Sequence, residues 1–164
     1  MHSPQRHQDT EMVVGAKAAR APTVGLVVLG CDKNTVDSEY LAASLARRGA
    51  LVTADPIRDG PVDAVVIATC GFTDEARTQS VATIRKWADY KRRSRRPIRL
   101  YVWSCMGQRW ADDLLDAIPE IDGIAGVGHF DQLAKAILDG GSERDANRAL
   151  LPHAIALPPS VAVT

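Results

Sequence analysis

The sequence predicts an α/β fold built on a mostly parallel five-stranded sheet with helices on both faces, and three observations predict it. Between residues 23 and 138, apolar runs of strand length alternate with amphipathic runs of helix length. The first apolar run, VGLVVL at residues 24–29, is continuous instead of alternating, as in a strand covered on both faces. Strands separated by helices also imply crossover connections, and these make neighbouring strands parallel.

Each element follows from local pattern. After the first strand, residues 38–48 read as a helix with Asp37 or Ser38 as cap and Gly49 as its stop. Residues 50–54 form a candidate second strand, followed by a turn-rich stretch at 55–61. The run DAVVIAT at 63–69 is the third strand, and a long helix over 74–92 follows with Thr73 as its cap. On that helix Val81, Ile84, Trp87 and Ala88 share one face, while Arg77, Arg85 and Lys86 lie elsewhere. Residues 98–103 (IRLYVW) make the fourth strand, 111–118 a short helix, 121–127 a weak fifth strand and 131–138 a last helix. Five strands so arranged suit a flavodoxin-like, doubly wound order of 2-1-3-4-5. One link strains that order: about eight residues join the second and third strands, where a parallel crossover takes roughly a dozen. The second strand is therefore expected to be short or at an edge.

The expected division is a disordered tail over residues 1–22, one domain over 23–139 and a linker-like or disordered tail over 140–164, because both ends lack periodicity. Lysine plus arginine equals aspartate plus glutamate at 20 each, so no global field draws the protein to nucleic acid or a membrane. No apolar stretch approaches the roughly 20 residues that span a bilayer, and none near the amino terminus suits a signal peptide. A cytoplasmic protein is expected. In that compartment three cysteines are poorly explained as disulfides.

Those cysteines carry the chemistry. Cys31 follows the first strand after one residue, Cys70 follows the third directly, and Cys105 follows the fourth after one residue. In a doubly wound parallel sheet all carboxyl ends lie along one edge, where such folds bind ligands, so three positions far apart in sequence converge. Each is followed by a helix whose amino-terminal dipole stabilises negative charge, which suits thiolate ligands. Three thiolates without a reliable fourth protein ligand select a soft metal. Two centres fit: a zinc ion with an open position, or a four-iron cluster with one uncapped iron.

The stretch Gly30-Cys31-Asp32-Lys33-Asn34-Thr35-Val36-Asp37-Ser38-Glu39, then Thr69-Cys70-Gly71-Phe72, then Cys105-Met106-Gly107-Gln108-Arg109, resembles the three-cysteine signature of the amino-terminal domain of radical S-adenosylmethionine methylthiotransferases. The resemblance covers nearly the whole foldable chain. It implies that Cys31, Cys70 and Cys105 hold an auxiliary 4Fe-4S cluster whose open iron takes part in sulfur delivery. Lys33-Asn34, Val36 to Glu39 and Gly71-Phe72 look more like the branch that methylthiolates an aspartate of a ribosomal protein than the branch that acts on tRNA. Ala68 stands where the family commonly has Asn, and Ser104 where Gly is common. Neither change removes a ligand, but both bear on the hydrogen bonds around the cluster. Family enzymes continue into a radical domain with a CxxxCxxC motif, which these 164 residues lack. The resemblance thus implies a separately encoded radical S-adenosylmethionine protein as partner, or a truncated product, with no catalytic residue in this chain and no activity in isolation. The alternative is a non-enzymatic iron–sulfur or zinc-binding scaffold or sensor, or a plain flavodoxin-like fold that has lost its function.

Other features read more plainly. The basic run Lys91, Arg92, Arg93, Arg95, Arg96 and Arg99 is expected to be a solvated helix end, since cations are favoured there. His129 is expected at the surface or as a cap, and Trp87 in the core. Trp103 and Trp110 bracket Cys105 and either shield a cluster or pack ordinarily. Asp37 and Glu39 are read as capping and dipole-complementing groups, not as an acid/base pair.

Overall fold

A computed structural model of the chain describes residues 20–140. Most of the two expected tails lies outside the described residues. The elements are β1 (Thr23–Val28), α1 (Asp32–Arg47), β2 (Leu51–Thr53), β3 (Ala64–Thr69), α2 (Asp74–Arg93), β4 (Arg99–Ser104), α3 (Cys105–Arg109), α4 (Ala111–Ala117), β5 (Gly123–Ala125) and α5 (Phe130–Asp139). The strands form one sheet in the order β2-β1-β3-β4-β5, every neighbouring pair parallel. This is the flavodoxin-like arrangement that the strand–helix alternation predicts.

Strand periodicity sends alternate residues to opposite faces, and both faces are covered. From β3 and β4, Val65, Ile67, Leu100 and Val102 pack against Ile84 and Trp87 of α2 and Leu114 of α4. On the other side Val66, Tyr101 and Trp103 pack against Leu41 and Leu45 of α1 and Leu133 and Ile137 of α5. All six residues of β3, the middle strand of the sheet, are buried.

The short second crossover has a local explanation. β2 is a three-residue edge strand, and the chain leaves it to cross beside β1 without a helix. Pro56 lies directly against Gly25 of β1, where an added Cβ would stand 2.4 Å from the proline Cβ. A glycine at that strand position lets another backbone approach closely, and so ten residues suffice to connect Thr53 with Ala64.

Two expectations are corrected. α1 begins at Asp32, six residues before the expected start at Ser38, with Cys31 as its N-cap. Asp37 and Ser38 therefore sit in its second turn and cap nothing. The β-branched Thr35 and Val36 lower the local helix preference over these residues. Tertiary anchoring of Asn34, described below, overrides that local preference. The structure also contains α3, which at five residues is too short to show periodicity. α2, by contrast, begins as expected, with the Thr73 hydroxyl accepting from the Ala76 amide at 3.1 Å. Among the described residues no helix is long and apolar enough to cross a membrane.

Candidate metal centre

β1, β3 and β4 are the three central strands, and each delivers one cysteine to the same edge of the sheet. β3 and β4 pair Thr69 with Ser104, so Cys70 and Cys105 leave the ladder level with each other. β1 and β3 pair Val28 with Ala68, and the Leu29 amide donates to the Ala68 carbonyl at 2.9 Å. That register carries Gly30 alongside Cys70 and puts Cys31 one residue beyond. Neighbouring strands lie roughly 5 Å apart, so the three turns are adjacent in space.

Gly30 makes the closest approach possible. It has φ +88°, and a Cβ built on it would stand 2.3 Å from the Cys70 Cβ and 2.8 Å from its Sγ. Only glycine fits, by conformation and by space. Below Cys70, Gly71 lies against Trp110, whose ring would be 2.6 Å from an added Cβ. Ser80 of α2 closes the other side. Its hydroxyl donates to the Cys70 carbonyl at 2.8 Å and accepts from the Cys70 amide at 3.1 Å. Cys70 is thereby buried, Cys105 half-buried and Cys31 exposed, and all three are free thiols.

A buried polar seam links the turns. The Asn34 Nδ2 donates to the carbonyls of Leu29 (2.7 Å) and Thr69 (3.0 Å). Its Oδ1 accepts from the Ser104 hydroxyl at 2.7 Å. The Thr69 hydroxyl donates to the Trp103 carbonyl at 2.7 Å and accepts from the Met106 amide at 3.2 Å, tying β3 to β4 and α3. Sequence reasoning missed Asn34 as a structural centre. The available signal was its place three residues after a cysteine that caps a helix, and it was hidden by the late start assigned to α1.

Among the described residues, no group of three or more His, Cys, Asp and Glu side chains is arranged so that it could hold a metal ion. Three thiols at one sheet edge are a donor set that suits a thiolate-bound centre, zinc or an iron–sulfur cluster.

The remaining candidates resolve as follows. Trp110 is buried beneath Gly71, with the guanidinium groups of Arg77 and Arg109 at 5.6 and 5.9 Å from its ring. Trp103 packs edge-on to Phe130 at 5.6 Å in the other layer, as a core residue. Trp87 is core as expected. His129 stands at the N-cap of α5 with no side-chain cap bond, its carbonyl accepting from the Leu133 amide. Asp37 pairs with Lys33 along α1. Two residues of the basic run are ion-paired: Lys91 with Asp122, and Arg92 with Asp89 and Glu120. Phe72, beside Cys70 and Gly71, is 87% exposed.

A flavodoxin-like domain that carries a cysteine at the carboxyl end of each of its three central strands defines the class of protein. The chain belongs to the uncharacterized protein family UPF0004, whose model matches residues 23–126, and its relatives make it a methylthiotransferase-family domain. It is 34% identical over 122 residues to the ribosomal protein uS12 methylthiotransferase RimO of Acetivibrio thermocellus, covering 74% of this chain and 26% of that protein. The RimO of Desulforamulus reducens is 37% identical over 116 residues, 71% of this chain and 25% of its own length. The RimO of Pelotomaculum thermopropionicum is 36% identical over 148 residues, 85% of this chain and 32% of its own. The chain thus spans about a quarter to a third of the length of these curated relatives.

Proposed function

We propose that this domain holds a 4Fe-4S cluster on Cys31, Cys70 and Cys105 and serves methylthio transfer to a ribosomal protein in the cytoplasm. The observation that supports the reading is the placement of a free cysteine at the end of each of three adjacent parallel strands. The donor chemistry supports it, since three thiolates and no fourth ligand leave one iron open. When bound, such a cluster supplies an iron site that accepts a sulfur ligand. The chain's own residues do the rest: Gly30 and Gly71 let the Cys70 turn close tightly, Ser80 fixes its peptide, and Trp110 with Arg77 and Arg109 brings positive charge beside an anionic centre.

The substrate reading follows from the relatives, each named for ribosomal protein uS12, and from the motif match to the aspartate-modifying branch. Cleavage of S-adenosylmethionine is assigned to a radical protein or domain apart from these 164 residues. Anaerobic reconstitution tests the reading. The chain should turn brown and bind about four irons with matching sulfide. Each Cys→Ala change should abolish most of that uptake, and reduced chain given S-adenosylmethionine should yield no 5′-deoxyadenosine. Stoichiometric zinc with no iron uptake would overturn the cluster and favour the scaffold or sensor reading.

A further inference from the structure

We propose that Asn34 is the positioning residue that sets the mutual spacing of the three cysteine turns, acting from beneath them without touching a sulfur. The proposal rests on the reading of Cys31, Cys70 and Cys105 as ligands, and adds the element that holds them in place.

Asn34 is fully buried, and its backbone amide and both polar atoms of its side chain bond to the turns. Its backbone amide donates to the Cys31 carbonyl at 2.9 Å, fixing the first turn to the start of α1. The two hydrogens of Nδ2 go to Leu29, two residues before Cys31, and to Thr69, immediately before Cys70. Oδ1 receives the hydroxyl of Ser104, immediately before Cys105. A carboxamide offers two donors and one acceptor in a single rigid plane. One side chain therefore meets all three segments, which lie 35 and 39 residues apart along the chain. Other side chains serve poorly. Aspartate has the same shape but would turn an oxygen toward two carbonyl oxygens, serine is too short to span the turns, and glutamine adds a methylene to a site with no spare room.

Thr69 joins β3 to β4 and α3, and Ser80 joins the Cys70 turn to α2, but neither reaches the Cys31 turn. Asn34 alone among these bonds connects β1, β3 and β4. Groups that orient metal ligands from outside typically change affinity by roughly 10- to 100-fold when altered.

The test compares the full chain with N34D, N34A and S104A. Each protein is reconstituted anaerobically. Four quantities are read: the rate of iron loss to a chelator, the cluster midpoint potential, the alkylation rate of Cys70 in the metal-free chain, and the metal-free melting temperature. N34D should lose iron at least about 10-fold faster than the parent, with a shifted potential and a faster-reacting Cys70. S104A removes one arm of the tie and should fall between them. It also keeps the test open if N34D and N34A fail to fold. Variants with a lowered melting temperature but an unchanged iron-loss rate and potential would make Asn34 an ordinary core residue and overturn the proposal. If the parent binds no cluster, the cluster reading falls by itself. The positioning role is then decided by Cys70: unchanged alkylation in N34D, or in S104A should N34D not fold, overturns it, and acceleration upholds it.

Discussion

At the scale of single residues, the cysteine edge is shaped by backbone conformations that few residues tolerate. Ser104 has φ 78° and ψ −140°, the one positive φ at a non-glycine among the described residues. Such a conformation costs on the order of 1–3 kcal/mol for a residue with a Cβ, and it persists because its surroundings impose it. Here the surroundings are the end of β4 on one side and the Ser104–Asn34 bond on the other. The expectation that a family glycine is replaced at this position thus meets a physical reason for glycine. S104G would relieve the strain but leave Oδ1 of Asn34 without its donor, two effects of similar size and opposite sign. S104A keeps the strain and loses the bond. We expect S104A to be destabilised by about 1–2 kcal/mol in urea titration, and S104G to lie closer to the parent. S104A equal to or more stable than S104G would show that the strain is not real.

At the scale of elements, α1 and α5 are held side by side by more than their apolar faces. The Ser44 hydroxyl is buried and donates to Asp131 Oδ1 at 2.5 Å, while Arg48 reaches the Ser44 oxygen at 2.7 Å and Asp131 at 3.2 Å. The Ser44 bond, helped by Arg48, holds the Asp131 carboxyl below the usual aspartate range. A carboxylate with a depressed folded-state pKa contributes stability above its unfolded value, near 4, and loses it as pH falls through the folded value. S44A should therefore melt a few degrees lower than the parent at pH 7, and the gap should narrow below about pH 4. A gap that stays constant into acid would mean that the carboxylate is not the partner that matters. The same elements show what a sequence makes legible. α2 was readable from a capping threonine and a long apolar stripe, and β1, β3 and β4 from continuous apolar runs. The first two turns of α1 were not, because what holds them is Asn34 meeting carbonyls supplied by other strands. The alignment of the three cysteines was legible from topology alone, whereas the seam beneath them depends on contacts between residues 35 and 70 positions apart, which no local pattern contains.

At the scale of the whole molecule, the sheet grades from a rigid centre to a thin edge, and the cysteine turns hang from the centre. β3 has neighbours on both sides and helices on both faces, while β2 is a three-residue edge strand with Leu51 mostly exposed. A cavity opened in β3 removes dispersion contacts that the close-packed surroundings cannot restore, so Ile67→Ala should cost about 2–5 kcal/mol. Leu51→Ala deletes more apolar surface from view than from the core and should stay within about 0.5 kcal/mol of the parent. The two costs are to be measured by urea titration of the metal-free chain, with slopes compared to confirm that both variants unfold from the same compact state. Because Ile67 lies on β3 three residues before Cys70, which directly follows that strand, the β3 cavity should also speed alkylation of that thiol, an effect that Leu51→Ala should not share. Equal costs for the two substitutions would mean that the sheet shares load evenly, and that the cysteine edge draws no rigidity from the strands beneath it.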